Sequence, residues 1–368
     1  MSTALSAEQS DLRQTVGDLL TKRCPEPAVR RAMDSDLGYD PSLWDEFAEM
    51  GLLGLCIPEE YGGAGAGAAE LAVVAEQMGR TLMCGPYLST AVLTPHLLLA
   101  LDNPTECAEV LPTIARGEML TAVAFAESGS ARPPEQPSTI AEQTGGGWAI
   151  TGEKAYVLDA AAAQRIYIQA ESPSGTSVFA VESGAPGLAV SPLTSVDATR
   201  RQASVTLRDT PARLVGPATA LPTALDHAGI ALAAEQAGGA LHAAQMAADY
   251  ARTRYQFGRA IGSFQAIKHM CVDMLLEAQS ALSAARHVAA AFDAGDVDRY
   301  ADLALAQAYC SDAFVSVAAA NIQAHGGIGF TWEHPAHLYL RRARTDAQIF
   351  GDPAWHRERY VRIREEIS

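Results

Sequence analysis

Three arginines are grouped within residues 250–269, YARTRYQFGRAIGSFQAIKH, where they could bind an anion. Arg252, Arg254 and Arg259 surround a Phe-Gly pair, and a glycine after an aromatic residue is typical of a left-handed helix cap. Guanidinium groups around such a break suit a planar, bidentate partner such as a phosphate. The alternative is an ordinary helix end with solvated arginines, which composition alone favours. A second stretch, NIQAHGGIGF at 321–330, shifts the balance towards a ligand.

The elements that position these residues are predicted to be mainly helical. Ser6 can cap the first helix, and apolar residues recur at helical spacing throughout the first third of the chain. The helices predicted there are 6–33, one from about Pro41 to Met50, 68–82, 86–101 and 104–116. The sequence therefore predicts an N-terminal α-helical domain over 1–118.

The residue pattern changes at about residue 119, where short runs rich in β-branched residues follow one another at close intervals. This pattern predicts a small antiparallel β barrel or sandwich over 119–215. The stretch 131–147, ARPPEQPSTIAEQTGGG, is predicted to be a loop because proline and glycine dominate it.

The remainder, 216–368, returns to long alanine-rich helices with short connections, which predicts an antiparallel four-helix bundle. Those helices are expected at about 222–254, 264–294, 297–325 and 335–350. The fold class is thus mainly α with a central β domain.

Composition excludes several classes of function. The chain has 368 residues, 48% hydrophobic and 19% charged, as expected for a globular protein. Its net charge of −16 argues against a nucleic-acid partner and against an anionic membrane surface. Six cysteines lie scattered without CxxC spacing, no metal site is predicted, and the N-terminus lacks a signal-peptide core. The apolar runs look too short to span a bilayer, so a cytoplasmic protein is expected.

Four motifs in one order make the chain resemble the acyl-CoA dehydrogenase family of flavoproteins. They are IPEEYGG at 57–63, GEKAYV at 152–157, the arginine stretch at 250–269, and IQAHGGIGFTWEHPAHLYLRRA at 322–343. Each motif is modest alone, but the combination extends over essentially the whole chain. The resemblance implies FAD bound between subunits, with its ADP portion held partly by a neighbouring chain.

The resemblance assigns most cofactor-binding residues to the two stretches already described. The arginine of the RxxFG motif falls on Arg254, which would pair with the pyrophosphate, with Phe257 packed nearby. Gln323, Gly326 and Gly327 match the QxxGG motif, whose backbone lets the nucleotide approach closely. Gln265 is also expected at the cofactor. A simple helix stop remains the alternative for the paired glycines.

The catalytic glutamate of the family has no counterpart at either of its usual positions. Family members remove an α-hydrogen of an acyl-CoA with this glutamate while the β-hydrogen leaves as hydride to the flavin. The two positions fall on Gly351 and Ala228, and the neighbouring arginine position falls on Gly229. Asp352 ranks first as a substitute base, and the alternative is that it is only a turn residue after the helix. Asp226, His227 and Glu235 are further candidates, and Glu235 could equally be paired structurally within the bundle.

The residues expected at the flavin ring also depart from the family pattern. A threonine falls on Ala126 and another on Leu158, so two hydrogen-bond partners are lost. Tyr156 replaces a tryptophan and keeps an aromatic surface. The stretch 131–138 lacks the serine pattern that usually meets the acyl-CoA. The ADP-binding motifs are therefore intact, whereas the ring-binding and base-bearing ones are eroded.

Three hypotheses fit this division. In the first, the chain is the partner-type subunit of an α2β2 acyl-CoA dehydrogenase, as in actinobacterial steroid side-chain degradation, and supplies half of an FAD site. In the second, it is a self-sufficient homotetramer that uses Asp352 or another carboxylate. In the third, it is a non-redox interaction protein with the same fold. The resemblance further implies an acyl-CoA substrate and an electron-transfer flavoprotein as electron acceptor.

Overall fold

The computed structural model describes residues 4–367, with only the backbone of the last of these. The chain divides into two compact units by its internal contacts. One unit contains the residues up to 31, 67–83 and those from 229 onward; the other contains 32–66 and 84–228. The mainly α-helical fold with a central β region is confirmed. The domain boundaries at 118 and 215 stay predictions.

The first predicted helix is divided in two. Helix α1 spans Ala7–Arg23 and α2 spans Glu26–Asp34. Pro25 between them lacks the N–H that a continuous helix needs. Ser6 caps α1 as expected: its hydroxyl accepts from the Gln9 N–H at 3.1 Å, and the Gln9 side chain accepts from the Ser6 N–H at 3.0 Å.

The next helices agree closely with the predicted ones. They are α3 (Pro41–Glu49), α4 (Ala68–Thr81), a π-helical segment (Tyr87–Leu93) that continues into α5 (Thr94–Ala100), and α6 (Pro104–Ala115). The π-helical segment is fully buried, and it replaces the α-helical start that was predicted at residue 86. Apolar periodicity does not distinguish these two kinds of helix.

The central region is a seven-stranded mixed sheet, whereas an antiparallel barrel or sandwich was predicted. The strands are β1 (Thr121–Ala124), β2 (Ile140–Thr144), β3 (Gly147–Leu158), β4 (Arg165–Ala170), β5 (Ser177–Glu182), β6 (Leu188–Pro192) and β7 (Gln202–Pro217). Their order is β1-β4-β5-β7-β3-β2, with β6 also on β7. Strand β1 pairs parallel with β4, and the other pairs are antiparallel. Strand β2 lies within the stretch predicted as a loop and forms a hairpin with β3.

The C-terminal region contains five helices rather than the predicted four. They are α7 (Leu221–Thr253), α8 (Gln265–Asp293), α9 (Arg299–His325), α10 (Ala336–Asp346) and α11 (Pro353–Ile367), and a short hairpin of β8 (Tyr255–Gln256) and β9 (Arg259–Ala260) follows α7. Helix α9 packs against α8, α10 and α11. The sequence of α11 is dominated by charged side chains, so apolar periodicity does not reveal it.

Glycines let α4 and α7 approach until their backbones touch. A Cβ added at Gly79 would collide with the carbonyl of Glu235, and one added at Gly238 would collide with the carbonyl of Glu76. Glu235 pairs with Arg342, and Glu76 accepts from Arg286 at 2.7 Å, so both carboxylates have cationic partners. Gly79 and Gly238 thus serve close helix packing. Glu235 therefore forms a structural ion pair with Arg342, which was the expected alternative to its acting as a catalytic base.

One helical segment, residues 299–330, is long and apolar enough to cross a membrane by length and composition. The expectation that every apolar run is too short was therefore wrong for this segment. Most of its apolar window is buried inside the protein, as in the core helix of a bundle.

Candidate functional site

The arginine stretch forms a hairpin directly after α7. Phe257 and Gly258 occupy its two-residue turn, with φ of 53° and 76°. Positive φ at both positions is the geometry of the turns that suit tight hairpins. Gly258 was expected to cap a helix, but α7 already ends at Thr253, so the glycine serves the hairpin turn instead. The turn presents Phe257 to solvent, with 90% of the side chain exposed.

The three arginines of this hairpin differ in what they contact. Arg252 pairs with Asp249 at 2.9 Å, and the guanidinium of Arg259 lies 3.9 Å from the centre of the Phe264 ring. Within residues 4–367, the guanidinium of Arg254 has no carboxylate or hydrogen-bond partner. Its backbone is fixed on both sides, because its N–H donates to the Tyr250 carbonyl and its carbonyl accepts from the Ile261 N–H, each at 2.8 Å. A fixed backbone with an available guanidinium suits an external anion.

The paired glycines end α9 and begin a short 3-10 turn. Gly326 has φ of 65° and ψ of −145°, which only glycine adopts readily. A Cβ at Gly326 or Gly327 would meet no atom within 4 Å, so the backbone borders open space. Gln323 is exposed on the last turn of α9. Gln265 begins α8, and its amide nitrogen lies 2.8 Å from Nε2 of His269. The helix-stop alternative therefore accounts for Gly326, whereas the open space leaves a ligand room at both glycines.

The residues expected at the flavin ring lie just after β1 and on β3, in the other unit. Tyr156 sits at a bulge in β3 with φ of 55°, and 41% of its side chain is exposed. Ala126 and Leu158 are both buried. Each places a methyl-bearing side chain where a hydroxyl was expected, so neither side chain can donate a hydrogen bond.

A buried ion pair that the sequence analysis overlooked fixes the loop at 128–138. Lys154, which is 0% exposed, donates to Glu127 at 2.8 Å. The Glu127 carboxylate also accepts from the N–H and hydroxyl groups of Ser138 and Thr139, at 2.6–3.0 Å. Burial opposes ionisation of Glu127, but the hydrogen bonds from Lys154, Ser138 and Thr139 outweigh it and lower its pKa to about 2. The sequence feature that could have indicated this ion pair is a lysine within a predicted strand of alternating apolar and polar residues.

The two positions predicted for the catalytic base are both enclosed by the protein. A Cβ on Gly351 would lie 2.5 Å from Cε3 of Trp355, and the φ of 129° at Gly351 disfavours any L side chain. Ala228 is completely buried. Beside it, a Cβ on Gly229 would collide with the side-chain amide of Gln307. A longer side chain therefore has no room at position 351 or 229 in this packing.

The substitute carboxylates and imidazole also have structural partners. Oδ1 of Asp352 accepts from the Trp355 N–H at 2.8 Å, so Asp352 caps the start of α11. Asp226 is buried. The ring of His227 stacks on His96 with centroids 4.1 Å apart. Burial and the neighbouring His227 lower the pKa of His96 to about 3, and burial lowers that of His227 to about 4.

Comparison with known proteins agrees with this arrangement of elements. The N-terminal domain model of acyl-CoA dehydrogenases matches residues 6–118, and the C-terminal domain model matches residues 218–363. Acyl-CoA dehydrogenase IpdE2 of Mycobacterium tuberculosis is 35% identical over 361 residues, which are 98% of this chain and 97% of the relative.

Solved structures give the same result. A variant of the Tcur3481–Tcur3483 steroid ACAD has a TM-score of 0.87 at 30% identity, over 98% of each chain. The ChsE4–ChsE5 complex from Mycobacterium tuberculosis has a TM-score of 0.90 at 27% identity, over 100% of this chain and 99% of the other. Acyl-CoA dehydrogenases bind FAD, and the open glycine backbone and available guanidinium of this chain fit the anionic part of that cofactor. The chain belongs to the acyl-CoA dehydrogenase family.

Proposed function

We propose that this chain is the partner-type subunit of a heteromeric acyl-CoA dehydrogenase and supplies the ADP-binding side of a shared FAD site. The observation that carries the proposal is the closure of both base positions: Trp355 fills the space at Gly351, and Ala228 is completely buried. A subunit with no room for the glutamate depends on another chain for proton abstraction.

The division of intact and altered residues supports the same role. FAD, when bound, accepts the hydride from the β-carbon of an acyl-CoA. In the proposal, Arg254 pairs with the pyrophosphate of that FAD, Phe257 covers it, and Gln323 and the two glycines border its adenosine part. Gln265 is proposed to add a further contact to the cofactor. Tyr156 would offer an aromatic surface near a ring, while the buried Ala126 and Leu158 offer no hydroxyl.

The similar structures support a heteromeric assembly. The Tcur3481–Tcur3483 steroid ACAD and the ChsE4–ChsE5 complex are each named for two different chains. We therefore infer a homologous subunit as partner, an acyl-CoA with a bulky steroid-like acyl group as substrate, and an electron-transfer flavoprotein as acceptor. A cytoplasmic location is a separate part of the proposal.

The self-sufficient alternative has less support because Asp352 already caps α11. The non-redox alternative has less support because Arg254 has no partner among residues 4–367, in the position where the family binds pyrophosphate. Neither alternative explains why only the ADP-binding motifs are retained.

Purification of the chain alone, and together with a homologous subunit that carries the glutamate, tests the proposal. We expect the pair to retain FAD and to oxidise an acyl-CoA with an artificial electron acceptor, and the chain alone to do neither. A yellow, active homo-oligomer of this chain would overturn the partner-subunit role. An active pair that loses no activity when this chain is omitted would do so as well.

Two arginines of the hairpin region provide a matched comparison within the pair. We expect Arg254→Ala to lower the flavin-to-protein ratio, because it removes the guanidinium that has no internal partner. Arg252→Ala should leave the ratio unchanged, since Arg252 is engaged with Asp249 on the same helix. Equal flavin loss in both variants would show that general charge, rather than a specific contact, holds the cofactor.

A further inference from the structure

Three aromatic rings, tilted by 30° and 44° against one another, form a chain of ring contacts that we call the stack. Their residues lie at or next to the two segments that carry the proposed FAD contacts. The Tyr250 ring at the end of α7 lies 4.3 Å from the His325 ring, and the His325 ring lies 4.2 Å from the His334 ring. The Tyr250 and His334 rings are 6.5 Å apart and nearly perpendicular. His325 is buried and His334 is partly buried. Neither histidine was singled out from the sequence.

Each ring lies at a point that fixes one of the two segments. The Tyr250 carbonyl accepts from the Arg254 N–H at 2.8 Å, at the base of the hairpin. His325 is the last residue of α9, directly before Gly326. His334 lies at the other end of the glycine-bearing loop, where its Nδ1 accepts from the Ala336 N–H at 3.2 Å. The stack therefore joins both ends of the loop to the base of the hairpin.

We propose that Tyr250, His325 and His334 are positioning residues that hold the hairpin and the glycine loop in register for FAD, and that acid releases this hold. The proposal rests on the function proposed above for Arg254 and the paired glycines. None of the three rings needs to contact the cofactor. Their effect passes through the backbone of the segments that they join.

The contact of His334 with the backbone makes the stack depend on a neutral imidazole at that residue. Nδ1–H of His325 donates to the Asn321 carbonyl at 2.8 Å, whereas Nδ1 of His334 accepts from a backbone N–H. Protonation of His334 would place a hydrogen on that acceptor nitrogen and break the bond with Ala336. A charge on both rings would also set two cations about 4 Å apart, which is repulsive.

The surroundings of His334 keep it neutral near pH 7. Burial, then the neighbouring His325, lower the pKa of His334, and Glu26 opposes them; burial likewise lowers the pKa of His325. Both groups therefore protonate below the ordinary histidine value of about 6.5. The titratable and charged groups around them are His325 on α9, Glu26 on α2 and His337 on α10, with Arg30 and Arg341 beside His337.

A titration of FAD into the purified pair, followed by flavin fluorescence between pH 7.5 and 5, tests the proposal. We expect the dissociation constant of the parent to rise by about tenfold on acidification, within the usual range of coupling between sites. His334→Phe keeps an aromatic ring that cannot be protonated, so its dissociation constant should change little with pH. His334→Ala should bind FAD weakly at both ends of the range. An equal pH dependence in the parent and in His334→Phe would overturn the proposal.

Hydrogen exchange gives a readout that does not need FAD. In His334→Ala at pH 7.5, amide exchange should increase in both the hairpin, 255–261, and the glycine loop, 326–335. His242→Ala is the matched control, because His242 stacks on Tyr339 at 5.2 Å in the same unit but outside both segments. Increased exchange in the loop alone would refute the role of the stack. If the parent pair binds no FAD at any pH but exchange still changes in both segments, the proposed function fails while the stack keeps its role.

Discussion

The pair formed by Lys154 and Glu127 gives the sharpest test of what stabilises this chain near the loop at 128–138. Replacement of Glu127 by glutamine would leave the ammonium of Lys154 fully buried without a negative partner. Loss of one partner of a buried ion pair costs about 3–5 kcal/mol. We expect Glu127→Gln to lower the free energy of unfolding by that amount.

Lys154→Met provides the matched comparison. It removes the buried cation, while the Glu127 carboxylate keeps the four hydrogen bonds from Ser138 and Thr139. Its cost should be smaller, about 1.5–3 kcal/mol, the usual worth of a hydrogen bond to a charged group. The double variant should be more stable than the sum of the two single losses predicts, because no unpaired charge remains.

Urea unfolding of the four proteins at pH 7, with hydrogen exchange at two amides, measures these effects. The N–H groups of Ser138 and Thr139 donate to Glu127 at 2.8 and 3.0 Å, so both should exchange faster in Glu127→Gln. A stability within about 0.5 kcal/mol of the parent, the usual range for surface substitutions, would refute the reasoning. Unchanged protection of the two amides would do the same.

The pKa of Glu127 is lowered to about 2, so its contribution to the free energy of unfolding is present above about pH 4.5 and is lost as pH falls towards 2.

Three further predictions follow from packing and charge. Gly351→Ala should lower the free energy of unfolding in urea by about 1–3 kcal/mol, because the added methyl group collides with Trp355 and the φ is unfavourable. An unchanged urea midpoint would contradict the absence of space at Gly351. Arg342→Met should cost about 3–5 kcal/mol because it leaves Glu235 buried, and the further change Glu235→Gln should recover part of that loss. His96 and His227 have pKa values lowered to about 3 and 4 in the folded protein, so the unfolded chain binds protons at these residues at a higher pH. The free energy of unfolding should therefore decrease as the pH falls below about 6.5. His96→Gln should reduce this dependence of the free energy of unfolding on pH between pH 6.5 and 4.

Local pattern was enough to predict most elements of the fold. The long helices from α7 to α10 and the strands from β3 to β7 follow from periodicity and β-branched runs. Strand β2 was not predicted because its sequence, Ile-Ala-Glu-Gln-Thr, buries only one residue and is followed by three glycines. The parallel pairing of β1 with β4 was missed because strand order depends on contacts that are distant in sequence.

The candidate site shows the same limit. The types of residue at positions 351 and 228 already predicted that the two usual positions of the base carry no glutamate. The sequence could not show that Trp355 fills the first position, since that contact depends on how α11 turns back after Gly351. It also could not place His334 against His325, because eight residues separate them along a loop whose path is set by the glycines.

The filled space at Gly351 bears on how such a chain can change over time. A subunit that had merely lost its glutamate could regain it by substitution at one codon. Here a new side chain at that position first meets the indole of Trp355, so an intermediate carrying only that change is strained. Under the proposed partner-subunit role, a return to independent catalysis requires at least two coordinated replacements, so dependence on a partner is difficult to reverse.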